Sequence, residues 1–226
     1  MTYSLVGRCD RTGAFGAIVT SSSPAVAARC VYARPGVGAA CSQNVTDPTL
    51  GPRLLDELAA GGSAEAALAI AVEAAGAHGA YRQLAVVGGE GDGRAFSGRH
   101  ALGRAASATG PGCAAAGNLL ADEGVPAAMV DAFLADPAAH LGDRLLAALA
   151  AGRDAGGEEG PVRSAGIVVV DAVPWPVTDL RVDWTEADPI EELARIWERW
   201  RPQAEDYVTR ALDPGAAPSY GVPADA

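Results

Sequence analysis

Thr2 carries the chemistry this sequence offers most directly. A residue this small permits removal of the initiator Met1, and the expected mature chain begins at Thr2 with no leader ahead of it. Hydroxyl and free α-amine would then lie on one residue. That pair is a nucleophile with its own base, the threonine and N-terminal-amine variant of triad chemistry. A free α-amine titrates near ~8, so a useful fraction is unprotonated at neutral pH and can take the hydroxyl proton. The alternative is that Thr2 only permits Met1 removal and opens an edge strand. Other chemistry has thinner support. Cys9, Cys30, Cys41 and Cys113 lack C-x-x-C spacing and histidine neighbours, and they read as small buried hydrophobes. His78, His100 and His140 are scattered, with surface or capping roles expected. No metal and no cofactor is expected. The glycine-rich run from Gly88 to Gly93 lacks P-loop or EF-hand spacing and reads as a hairpin tip.

Composition bounds the partners. A chain of 226 residues can form one domain with a sizeable core, and its aromatic share of 5% leaves that core to Ala, Val and Leu. The net charge of −11 argues against nucleic acid and anionic membrane, which need a basic face. All 17 basic residues are arginine, so a lysine base or Schiff base is excluded. No long apolar run exists, and a cytoplasmic protein is expected.

The elements that must position Thr2 come next. Strands are expected over Ser4 to Cys9, Phe15 to Thr20, Ala28 to Tyr32 and Val37 to Asn44, with Arg11-Thr12-Gly13 as the first turn. Two helices follow, one marked by Pro52, Leu54, Leu55 and Leu58, the next capped by Ser63. Gln83 to Val87 and Arg94 to Ser97 read as a hairpin, and Ala105 to Asn118 as further strand with a turn or bulge at Gly110-Pro111-Gly112. Helical pattern resumes at Pro126 and again at Leu141, ending at Gly152. Ser164 to Asp171 and Leu180 to Trp184 read as strands, with Asp154 to Pro161 as a Gly/Glu-rich loop before them. Asp188 caps a last helix that carries Trp197 and Trp200 on one face. Core or dimer packing is the expectation for these tryptophans, and a homodimer is expected because aromatics are enriched at interfaces. One domain over residues 1–211 and a flexible tail over 212–226 complete the plan. Strands in blocks with helices in pairs imply an α+β fold, two sheets with helices outside. No G-x-G-x-x-G follows a strand, so a doubly wound nucleotide fold is not expected.

Five segments, "MTYSLVGRCDRTGAFGAIVTSS", "ARPGVGAACSQNVTDPTLGPRLLDELAAGGSAEAALA", "RQLAVVGGEGDGRAFSG", "AAAGNLLA" and "RLLAALAAGRDAGGEEGPVRSAGIVVV", carry a resemblance. Over roughly residues 1 to 200 the chain resembles the domain of unknown function 1028 family, whose fold is Ntn-hydrolase-like. The resemblance implies a four-layer αββα sandwich. It also implies an N-terminal nucleophile that attacks an amide carbon, forms an acyl-enzyme and releases it with water. Thr2 matches that nucleophile. Asn118, in the pair Gly117-Asn118, matches a recurrent Gly-Asn of the family and is the candidate oxyanion donor; the other reading is a turn residue at a strand end. Gln43, Asn44 and Asp47 match a polar stretch of the family and are expected near Thr2, unless Asp47 and Thr49 serve to cap the helix at Pro52. Ser4 and Arg29 complete the expected substrate-positioning set. Many relatives carry a lysine after the second strand, where this chain has Ser21-Ser22-Ser23, and Arg29 or Arg8 would supply positive charge instead. The expected function is hydrolysis of a C–N amide bond in a small molecule or short peptide. The alternative is a non-catalytic scaffold of the same fold that binds a small ligand or a partner subunit.

Overall fold

Side chains of the first strand alternate between two interiors. Tyr3 and Leu5 enter a core shared with helices, whereas Val6 enters a core between two sheets. That period of two is what a strand buried on both faces must show. The computed structural model describes residues 1–221.

One antiparallel sheet has six strands in the order β10-β9-β2-β1-β8-β7. These are β1 (Thr2–Arg8), β2 (Phe15–Ser21), β7 (Ala106–Gly110), β8 (Cys113–Asn118), β9 (Ser164–Val170) and β10 (Pro176–Val182). The strand that begins with Thr2 therefore lies in the interior of its sheet, paired with β2 on one side and β8 on the other. The second antiparallel sheet has the order β3-β4-β5-β6, from β3 (Val31–Arg34), β4 (Gly38–Asn44), β5 (Arg82–Gly88) and β6 (Arg94–Ser97). Seven α-helices occur among the described residues: α1 (Ala27–Cys30), α2 (Leu50–Ala59), α3 (Ala64–Ala74), α4 (Val125–Leu134), α5 (Leu141–Asp154), α6 (Pro189–Trp200) and α7 (Ala204–Leu212).

Four apolar clusters hold these elements together among the described residues, the smallest being Val19, Val26, Ala27 and Cys30 around α1. Leu54, Leu55, Ala67 and Ala71 of α2 and α3 pack on Leu84 and Val86 of the four-stranded sheet. Met129, Phe133, Leu145, Leu149 and Leu193 of α4, α5 and α6 pack on Tyr3, Leu5 and Ile18 of the six-stranded sheet. Between the sheets lie Val6, Ala17, Ala39, Cys41, Ala85, Val87 and Ala114. Small side chains there let the sheets approach closely, which accounts for the shortage of aromatics. Gly7 shows the same economy on the helix side, since a Cβ there would lie 2.4 Å from the Phe133 ring. All four cysteines are free and buried.

Caps at two helices follow the sequence. The Ser63 hydroxyl accepts from Ala66 N at 3.1 Å, and the Asp188 carboxylate accepts from Ile190 N at 2.8 Å with Pro189 opening α6. Other expectations are corrected. Ala28 to Cys30 is helical, and the strand begins at Val31, because the alanine-rich run after Pro24 closes a helical turn that buries Ala27 and Cys30. Of the turn or bulge expected at Gly110-Pro111-Gly112, the structure shows a turn, which divides the segment into a hairpin, β7 and β8, with Gly112 at φ 63°. The last strand starts at Pro176 rather than Leu180, and Trp184 lies beyond its end. A proline is tolerated there because β10 is an edge strand. Helix α7 is an addition, and it covers the tryptophan face. Trp197 is buried, with its indole N–H donating to Asp143 at 2.8 Å. Trp200 donates to Thr178 at 3.0 Å and stacks on Tyr207 of α7 with ring centroids 5.1 Å apart. Of the expected tail, Leu212 closes α7, and Tyr220 returns under Arg210, whose guanidinium lies 4.0 Å from its ring centroid; residues 222–226 lie outside the described residues. No helix among the described residues is long and apolar enough to cross a membrane.

Candidate functional site

Strand pairing places three polar residues in one row. Thr2 lies opposite Ser21 on β2 and opposite Asn118 on β8. Side chains directly opposite in an antiparallel sheet share a face and stand about 5 Å apart at Cβ. All three are buried, Thr2 at 6% exposure and the other two at none. Ser4 occupies the next position on the same face, opposite Val19 and Ala116.

The Met1 carbonyl oxygen is the focus of the row. It accepts from the Thr2 hydroxyl and from the Ser21 hydroxyl. The Ser21 oxygen in turn accepts from Ser23 N at 3.1 Å, which aims the hydroxyl hydrogen away from the backbone and toward that carbonyl. Thr2 and Ser21 hydroxyl oxygens are 3.2 Å apart. The pair thus behaves as a two-donor cradle for a carbonyl oxygen, one donor being the candidate nucleophile.

Behind the row runs a buried amide network. Ser4 donates to Gln43 Oε1 at 2.6 Å; Gln43 Nε2 donates to Gln83 Oε1 at 2.8 Å and to Ala116 O at 3.1 Å. Gln83 Nε2 donates to Gly117 O and to Ser97 Oγ, both at 2.8 Å, and Gln83 Oε1 also accepts from Asn118 Nδ2 at 3.0 Å. The orientations are forced. Backbone carbonyls can only accept, so both glutamine nitrogens must face them, and Gln83 Oε1 must face Asn118. Asn118 therefore turns one N–H of its amide inward and leaves Oδ1 without a hydrogen-bond partner among the described residues. Ser21 is the side chain that joins Thr2 in donating to a carbonyl oxygen here.

The remaining expected positioning residues are occupied elsewhere. Asn44, at φ 74°, donates to Tyr81 O at 2.6 Å and accepts from Leu102 N at 3.1 Å, so it ties two loops together. The Asp47 carboxylate accepts from Thr49 Oγ1 at 2.6 Å and from Thr49 N at 3.0 Å, and these hydrogen bonds hold its carboxyl below the usual range. That is the turn before α2. Arg29 donates to Pro24 O at 2.6 Å and Ala25 O at 2.9 Å. Arg8 donates to Gly88 O at 2.9 Å and pairs with Asp10. Of the expected set, the network joins Ser4, Gln43 and Asn118 at the Thr2 end of β1.

Glu158 is a residue that sequence reasoning passed over inside a loop. Leu119 adopts φ 52°, a left-handed conformation rare for leucine, and turns the chain sharply after Asn118. Leu120 then bridges to Glu158, and Glu159 N donates to Leu119 O at 2.9 Å. Glu158 is 7% exposed, and neither carboxylate oxygen has a hydrogen bond of normal geometry among the described residues. Burial pushes its carboxyl up to about 8, against the opposing pull of the Met1 α-amine and of Ser22. Its charge, after burial, also pushes the Tyr3 phenol up. Nearby, the Met1 thioether lies against Gly160, 3.3 Å from where a Cβ would stand to the terminal methyl. No group of three or more His, Cys, Asp or Glu among the described residues could hold a metal ion.

A family model described as a family of unknown function, DUF1028, matches residues 2–193. The crystal structure of protein SPO2555 from Silicibacter pomeroyi, described as DUF1028, is similar with a TM-score of 0.83 and 29% identity, covering 91% of this chain and 89% of that one. No curated protein matches the chain.

Proposed function

The chain belongs to the DUF1028 family of unknown function, and on that premise we propose that it is an N-terminal-nucleophile amidohydrolase of four-layer αββα architecture, acting on a C–N amide bond of a small molecule or short peptide. One observation carries the reading. The hydroxyls of Thr2 and Ser21, both buried, converge on the Met1 carbonyl oxygen. With Met1 removed, that space is free for a substrate carbonyl. The Thr2 α-amine takes the hydroxyl proton, and the oxygen adds to the amide carbon. Ser21 then donates to the developing oxyanion, in a site where water is excluded and such a bond counts most. The C–N bond breaks, the departing amine takes up a proton, and a threonyl ester remains. Water opens that ester to a carboxylic acid and regenerates the hydroxyl. Asn118 Oδ1, an acceptor, orients the α-amine rather than the oxyanion.

The test begins with the mass of the intact protein, which reports whether Thr2 is the first residue. Thr2→Ala is expected to abolish amide hydrolysis, and Thr2→Ser to keep part of it, since hydroxyl and amine both remain. Full turnover by Thr2→Ala would place the nucleophile elsewhere. A protein that retains Met1 in its mature form has no α-amine at Thr2, and the scaffold reading then takes over.

A further inference from the structure

Met1 fills the space in front of Thr2 in a particular way. Its carbonyl oxygen sits between the Thr2 and Ser21 hydroxyls. Its side chain lies over Gly160, with the sulfur 3.7 Å and the terminal methyl 3.3 Å from where a Cβ would stand. Its α-amine makes no ion pair with Glu158 among the described residues, although its charge pulls that carboxyl down against the effect of burial. Glu158 is 7% exposed, its oxygens have no hydrogen bond of normal geometry among the described residues, and the Ser22 N–H and hydroxyl are the donors that bear on it. A buried carboxylate so weakly held is costly, and a cation that enters and pairs with it lowers that cost.

We infer that the space Met1 fills is an α-aminoacyl site: the Thr2 and Ser21 hydroxyls hold the carbonyl, Glu158 takes the α-ammonium, and Gly160 makes room for a side chain. The substrates are then unblocked aminoacyl amides, including the first residue of a short peptide. Transferring the Met1 acyl group from Thr2 N to Thr2 Oγ1 gives the ester such a substrate would form, so the resident residue marks where the acyl oxygen and the side chain would lie. The inference deepens the hydrolase reading and rests on it for Met1 removal. Other charged groups around this corner are Arg153, Asp154 and Asp188, which act on Tyr3 together with Glu158. Arg153 is engaged with Asp154 and Asp188 at 3.0 and 2.8 Å, which leaves Glu158 as the acid of this corner that Arg153 does not pair with.

The test is calorimetric titration of the mature protein, Thr2 first by mass, with L-methioninamide and with N-acetyl-L-methioninamide. A charge-assisted hydrogen bond predicts about 10-fold or tighter binding of the free amine. Glu158→Gln should erase that preference while leaving the acetylated compound within about twofold of its own value. Equal affinities in the wild-type protein, or no binding of methioninamide at millimolar concentration, overturns the aminoacyl site. The hydrolase reading fails separately. Methioninamide that binds with the predicted preference but is never hydrolysed keeps the site and sinks the reaction, whereas hydrolysis of both amides without preference does the reverse.

Discussion

Replacing Ser21 by alanine removes the side-chain donor that joins Thr2 at the Met1 carbonyl. Loss of one oxyanion donor typically costs ~10²–10³ in rate, so Ser21→Ala should lose about that much in kcat. Asn118→Ala keeps that donor and is expected to lose less. Steady-state kinetics of the two variants should rank them in that order; the reverse order would return the donor role to Asn118. Glu158 answers to pH. Its folded carboxyl, pushed up to about 8 by burial, binds a proton that the unfolded chain releases near ~4.5. Between those values the native state holds more protons, so stability falls as pH rises from about 4.5 to about 8. Glu158→Gln, which cannot ionise, should lose that slope and be more stable than wild type at pH 8, on the order of a few kcal/mol at most. Urea midpoints measured across that range check it, and parallel curves for the two proteins would refute it.

At the scale of elements, the first hairpin shows how much of the site the sequence disclosed. Arg11-Thr12-Gly13 marks its turn, and pairing outward from Arg8 opposite Phe15 brings Thr2 opposite Ser21. That step needs only the turn position and strand alternation. The turn is legible in the sequence, and Ser21 follows from it only when the register is carried to the far end of both strands. Asn118 was found through resemblance, and its position beside Thr2 agrees, but its orientation depends on Gln83, which lies on the other sheet. No local pattern announces which strand of one sheet will face which strand of another. Glu158 was hidden for the same reason, since a loop glutamate becomes buried only when Leu119 turns the chain back toward it. Gln83 is where β5 and β8 meet, and Gln83→Leu would strand the inward donors of Gln43 and Asn118. Each orphaned buried polar group costs about 1–3 kcal/mol, so the variant should lose about 3 kcal/mol in denaturant titrations.

For the whole molecule, the late tryptophans take one of the two roles expected of them, packing within the chain. Trp197 and Trp200 find hydrogen-bond partners and a stacking partner inside the chain, so they no longer argue for a second copy. Helix α7 closes that face, and the sequence hid it because its residues from Ala204 carry no buried side chain to set a period. A chain ending at Gln203 should show red-shifted tryptophan emission as Trp200 loses the Tyr207 ring. An aromatic pair is worth about 0.5–1.5 kcal/mol beyond its area, so the shortened chain should stay folded and unfold slightly earlier. Emission unchanged by the truncation would show that α7 does not shield Trp200.

The interior position of β1 also sets a clock. Its neighbour β8 ends at Asn118, so the second flank of the first strand cannot form until more than half the chain has left the ribosome. At about 5–20 residues per second, that delay is on the order of 10 s. During it the methionyl end is free, and afterwards it is held on both sides with its carbonyl shut in. On the proposed reaction, which needs Thr2 first, trimming of Met1 would be a race against folding. A methionyl-aminopeptidase given the folded, untrimmed protein should release little methionine, and given the same protein during refolding should release much more.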